Sequence, residues 1–172
     1  LTSDISTLQS LTRKNPQLLT AISGELKFKE QSPKTTMTIL QKKMEKDFPP
    51  LKKISWELRN VHDSMKDYLS PAFYLTPPLD TGSPNMIYIN PASSGKGLSL
   101  FTTLAHEGFP GHLYQSVYFG RQKPSHIRYL LDTSGFAEGW ATYTESFAYG
   151  YAADYIQEKN PRELAQLAWL MP

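Results

Sequence analysis

Apolar residues recur along this chain with two different periods, and the change of period divides it into three zones. In residues 1–49, Leu8, Leu11 and Leu18 mark short helical pieces, and Met37, Leu40, Met44 and Phe48 fall on one face of a longer helix. Pro49-Pro50 is expected to stop it. Residues 51–95 are mixed. Ile54, Trp56 and Leu58 alternate with Ser55, Glu57 and Arg59, the period-two signature of a strand. Residues 62–69 read as a short helix, Pro77-Pro78 and Gly82-Ser83-Pro84 as turns, and 86–90 as a second strand. Residues 96–172 return to helical spacing. The pattern predicts a single domain or fragment, mainly α with a small β portion, without internal repeats or low-complexity tracts.

Residues 135–155 carry two contrasting faces of one helix. Phe136, Trp140, Tyr143, Phe147 and Tyr151 recur at three- and four-residue steps and form an aromatic stripe, expected to pack in the core. Glu138, Thr142, Glu145 and Tyr149 lie on the opposite side, flanked by the small residues Gly139, Ala141 and Ala148. A helix apolar round most of its circumference is expected to be buried. Buried carboxylates need a metal, an arginine or hydrogen bonds.

His106-Glu107-Gly108-Phe109-Pro110-Gly111-His112 holds two of the four histidines. Two imidazoles and a later carboxylate, Glu138, are the ligand set of a catalytic zinc site, and Glu107 stands where such hydrolases keep their general base. The spacing departs from the common His-Glu-x-x-His motif, whose histidines lie four apart on one helical face. Six residues turn an ideal helix through about 600°, which puts the pair on different faces. Two readings stay open. Proline inside a helix loses a hydrogen bond and clashes with the carbonyl four residues back, here that of His106, and glycine tolerates a bulge or break. Such an irregularity at Pro110-Gly111 would return His112 to the second ligand position. Otherwise Pro110-Gly111 is a plain helix end and the two histidines are unrelated. Glu138 favours the first reading, because a bound cation accounts for acids on an otherwise apolar helix.

Ser70-Pro71-Ala72-Phe73-Tyr74, Met86-Ile87-Tyr88-Ile89-Asn90, the His106 to His112 run and Glu138-Gly139-Trp140-Ala141-Thr142-Tyr143-Thr144-Glu145 occur in that order. Together they resemble the bacterial DUF885 family, whose members have a His-Glu-x-x-Pro-Gly-His core and a later Glu-Gly-Trp-Ala-x-Tyr-x-Glu. Residues 1 to about 50 match no named pattern. That family is similar in site layout to zinc peptidases with a glutamate third ligand, among them mostly helical oligopeptidases. The resemblance implies a fragment of a larger, mostly helical, zincin-like metallopeptidase fold, since family chains are several times longer. It implies His106, His112 and Glu138 as ligands of one zinc ion and Glu107 as general base. Glu145 is implied as a further acid, behind the ligands or beside the substrate. Many relatives carry another histidine straight after the motif, where Leu113 stands here. The resemblance also places further substrate-binding residues outside this chain.

The expected function is zinc-dependent hydrolysis of peptide bonds, with Glu107 taking a proton from the attacking water. Tyr143 and His126 are candidate oxyanion donors. The strand at 86–90 precedes the motif helix, where zinc peptidases often keep an edge strand that pairs with an extended substrate, so Tyr88 and Asn90 are substrate-side candidates. The competing class is a non-catalytic helical interaction module with a degenerate or structural metal site. Structural zinc is usually closed by four ligands, often cysteines, and this chain has no cysteine.

Composition narrows the picture further. A formal net charge of +2 makes no case for nucleic acid, and the lysines between 27 and 53 are interleaved with Glu30, Glu45 and Asp47 as on a solvated face. Nothing in the residues fixes an oligomeric state or a compartment. No apolar run is long enough to span a bilayer. Ser93-Ser94-Gly95-Lys96-Gly97 fails as a phosphate loop: Asn90 stands where the first glycine belongs, and Gly97 where Ser or Thr follows the lysine. A Gly-x-Ser-x-Gly elbow for a serine hydrolase is absent. His62 and His126 read as surface histidines, with His126 able to line a cleft.

Overall fold

The computed structural model describes residues 2–14, 16, 26–78, 83–131 and 134–170. Leu18 and Gly82, expected in a helical piece and in a turn, lie outside them. Helix α1 runs over Thr2–Lys14. Helix α2, Pro33–Met44, starts at Ser32, whose hydroxyl accepts the Thr35 N–H, with Pro33 in the first turn where no helical N–H is missed. Met37, Leu40 and Met44 are buried on its one apolar face. The helix ends at Met44, a turn before Pro49-Pro50, and Phe48 enters the same core from the turn that follows.

Three strands make one small sheet in the order β1-β3-β2: β1 is Trp56–Asn60, β2 Ala72–Leu75 and β3 Asn85–Ile89. β1 runs parallel to β3 with Trp56 opposite Asn85, and β2 antiparallel with Ala72 opposite Ile89. Both expected strands are present. The second of them, β3, is central rather than an edge, and the open edge beside the helices belongs to β2. The helix expected over 62–69 is reduced to one 3₁₀ turn, Asp63–Met65. Met65 and Tyr68 remain 48% and 86% exposed, so the segment has no apolar face to bury, and so short a helix is not stable without one.

The remaining helices are α3 (Gly97–Glu107), α4 (His112–Arg121), α5 (Ile127–Leu130), α6 (Ser134–Ala152) and α7 (Pro161–Leu170). The architecture is mainly α with a small β portion. α3 lies at the centre, burying Phe101, Leu104 and Ala105 between α2, α6 and β2. α6 packs on it and buries Ala141, Thr144, Ala148 and Ala152, small side chains that let helices pack closely. The aromatic stripe is therefore not the buried face. Trp140, Phe147 and Tyr151 flank the core, while Phe136 and Tyr143 are 70% and 55% exposed. A second cluster joins Leu11, Leu26 and Phe28 to Ile156, Leu164, Ala165 and Leu167. No helix among the described residues is long and apolar enough to cross a membrane.

Candidate metal centre

The motif does not sit on one helix. α3 ends at Glu107, and α4 begins at His112. Between them Phe109 fills the core edge-on to Trp56, and the Phe109-Pro110 bond is cis. The Gly111 N–H donates to the Ala105 carbonyl at 3.0 Å, which folds the chain back over the last turn of α3. A Cβ at Gly111 would lie 1.7 Å from the His106 carbonyl oxygen, so only glycine fits there. This break at Pro110-Gly111 is the irregularity that the six-residue spacing demands. It brings the His106 and His112 rings within 4.8 Å, nearly perpendicular.

Glu138, in the second turn of α6, faces both. Its Oε2 lies 3.4 Å from His106 Nε2 and its Oε1 3.4 Å from His112 Nε2. One donor atom from each residue falls within 4.8 Å of the others, so the set could hold a metal ion. Glu138 is 63% exposed, which corrects the expectation of a buried carboxylate on this helix. Glu145, two turns on and better buried, meets His106 instead, Oε1 lying 2.5 Å from Nδ1. An ionised carboxylate only accepts, so Nδ1 carries the proton and Nε2 is left to face Glu138.

Glu107 opens onto the same cleft. Its Oε2 accepts the backbone N–H of Tyr74 at 2.9 Å, a bond across the space between α3 and β2. The cleft encloses about 520 Å³. Ser70, Ala72, Tyr74 and Thr103 line it beside His106, Glu107, Glu138 and Glu145. Burial raises the Glu107 pKa above the ordinary carboxylate value, against the lowering effect of the Tyr74 N–H. Burial lowers that of His112, and nearby His106 acts in the same sense. His106 moves upward, chiefly through its hydrogen bond to Glu145.

Four residues expected near the substrate lie elsewhere. Tyr88 stacks on Phe73 at 5.4 Å and is absent from the cleft lining. Asn90 is fully buried, its amide donating to the Lys66 and Leu69 carbonyls and its Oδ1 accepting the Ala92 N–H; it closes a loop. His126 is exposed at the start of α5. Tyr143 stands against Trp140 and Phe147 on the outer side of α6. Sequence reasoning missed the Tyr74 N–H, a backbone group with no residue-type signature, and a bond from the Trp140 indole to the Pro110 carbonyl.

Residues 12–171 match the family described as "Bacterial protein of unknown function (DUF885)". The chain belongs to the DUF885 family. The match begins at residue 12, so it takes in most of the first zone, where no motif could be named. Among solved structures, this DUF885 chain is similar to one described as a putative lipoprotein from Colwellia psychrerythraea, at 18% identity and a TM-score of 0.69. That likeness is one of fold; it covers 97% of this chain and 32% of the other, so the present chain spans about a third of its relative's length. No curated protein matches the chain.

Proposed function

We propose that this DUF885 chain carries the metal centre of a zinc-dependent hydrolase, a metallopeptidase that uses Glu107 as its general base. The observation that carries the reading is the convergence of His106, His112 and Glu138, two of which, His106 and Glu138, line the cleft that also holds Glu107. The two 3.4 Å separations are long for charge-assisted hydrogen bonds, which run at about 2.7–2.9 Å. They are made by different oxygens of Glu138, and one donor atom from each of the three residues lies within 4.8 Å of the others. Zinc bonds of about 2.0–2.1 Å would draw those donors to roughly 3.3–3.4 Å of one another. Lowering of the His112 pKa favours the neutral imidazole that a metal requires.

When bound, the ion supplies Lewis acidity and lowers the pKa of water towards about 7. Tyr74 holds one oxygen of Glu107, leaving Oε1 to take the proton of the attacking water and pass it to the leaving amine nitrogen. Partial burial suits that role by making the carboxylate more basic. Glu145 fixes the ring orientation of His106. A peptide substrate is favoured by the edge of β2 that lines the cleft, where the Tyr74 N–H serves Glu107. The Asn90 N–H bonds the Pro71 carbonyl, so in this register the main-chain groups of Ala72 and Tyr74 turn away from β3, towards the cleft. That assigns to β2 the role expected of the strand at 86–90.

Zinc analysis of the purified chain tests the reading. We expect about one ion per chain, and far less in Glu138→Ala, because three protein ligands define such a site. Equal zinc in the two proteins, or none in either at saturating zinc, would sink it.

A further inference from the structure

We propose that Trp140 is a positioning residue for the metal centre, its indole N–H holding Glu138 in register with His112. Nε1 of Trp140 donates to the Pro110 carbonyl oxygen at 2.9 Å. Pro110 stands two residues before His112, and Trp140 two residues after Glu138. One hydrogen bond thus ties the loop that launches one ligand to the helix that carries another. The inference rests on the reading of His106, His112 and Glu138 as a metal site.

The first two turns of α6, Ser134 to Trp140, contain no buried residue. Among the described residues, nothing lies within 4 Å of a Cβ built at Gly135 or Gly139. Phe136 and Glu138 are largely exposed, and the buried face of α6 begins at Ala141. Each interior glycine weakens a helix relative to alanine, so these first two turns are intrinsically weak. The ring of Trp140, by contrast, is held on two sides, parallel to Tyr114 at 6.3 Å and edge-on to Phe48 at 5.9 Å. A helix turning by one residue would swing Glu138 through about 100° and out of reach of both imidazoles. The bond to Pro110 opposes that rotation.

Trp140→Phe keeps an aromatic ring against Tyr114 and Phe48 but has no N–H. Trp56→Phe is the control, since it keeps an aromatic ring against Phe109 and removes a comparable bond, Nε1 to Gln41 Oε1 at 3.2 Å, whose acceptor sits on α2 and not on a ligand-bearing segment. Zinc dissociation constants are measured for the 172-residue chain and both variants by competition with a chromophoric chelator. Groups that orient metal ligands typically contribute about 10–100-fold in affinity. We expect W140F to lose about tenfold or more and W56F to stay within about twofold of wild type. Wild-type affinity in W140F, or an equal loss in W56F, overturns the proposal.

A second measurement needs no variant. Coupling is reciprocal, so a bond that favours zinc must be favoured by zinc to the same degree. The indole N–H of Trp140 should exchange with solvent deuterium about tenfold more slowly in the zinc-loaded chain, while that of Trp56 is unchanged. An exchange rate at Trp140 indifferent to bound zinc rejects the positioning role while leaving the metal site standing. Failure of the wild-type chain to take up zinc removes the metal reading and this proposal with it.

Discussion

His106 Nδ1 and Glu145 Oε1 meet at 2.5 Å across the interface between α3 and α6. The pair fixes the tautomer and the ring plane of a residue whose other nitrogen faces Glu138. A neutral amide at 145 keeps the shape but not the charge. Glu145→Gln is therefore expected to bind zinc about 10–100-fold more weakly, with little change in fold. Isothermal titration of the variant against wild type checks it, and equal affinities would take Glu145 out of the site.

The same pair sets a pH dependence. Glu145 raises the His106 pKa above the ordinary histidine value of 6.5. Protonated His106 stabilises the metal-free fold; that contribution is complete below the unfolded value and is lost as pH rises through the folded one. Zinc must displace the proton, so its affinity falls on acidification from a point above pH 6.5. The rise in melting temperature on adding zinc should be larger at about pH 8 than at about pH 6. In Glu145→Gln the pH at which affinity is lost should move downward. A wild-type zinc effect that is flat across this window would contradict the assignment of His106.

Glu107→Gln separates chemistry from binding. Glutamine can still accept the Tyr74 N–H, yet it takes no proton from water near neutral pH. Peptide hydrolysis by the longer protein that the family resemblance implies should fall by about 10²–10⁴-fold, the usual contribution of a general base, while zinc content stays near wild type. Turnover at the wild-type rate would remove Glu107 from the mechanism.

Gly111→Ala tests the helix break. The added methyl would sit 1.7 Å from the His106 carbonyl, a backbone atom that cannot swing aside. We expect destabilisation of more than about 3 kcal/mol, beyond ordinary overpacking, and loss of zinc binding with it. Gly139→Ala meets no atom within 4 Å among the described residues and should be neutral or stabilising in the same thermal melt. Similar melting temperatures for the two variants would show that the break tolerates a side chain.

Much of this molecule was legible in its sequence because the signals were local. The apolar face of Met37, Leu40 and Met44 and the alternation around Trp56 gave α2 and β1 directly. The spacing of His106 and His112, with Pro110-Gly111 between, foretold an interruption that the structure contains. Long-range relations were harder. Nothing local to 86–90 tells a central strand from an edge, because that depends on where β1 and β2 pair. The stripe on α6 misled for a physical reason: helices pack where small residues allow approach, and Ala141, Thr144 and Ala148 outweighed the larger rings. Asn90 looked polar and available, but its amide serves backbone carbonyls that only the folded loop creates.

One ion is expected to sit between His106, His112 and Glu138. Anomalous diffraction at the zinc edge, from crystals of this chain grown with zinc, tests it most directly. The account predicts a single strong peak about 2.0–2.2 Å from His106 Nε2, His112 Nε2 and a Glu138 carboxylate oxygen. A fully ordered site with no peak there at saturating zinc, or zinc bound only at other residues, would contradict it.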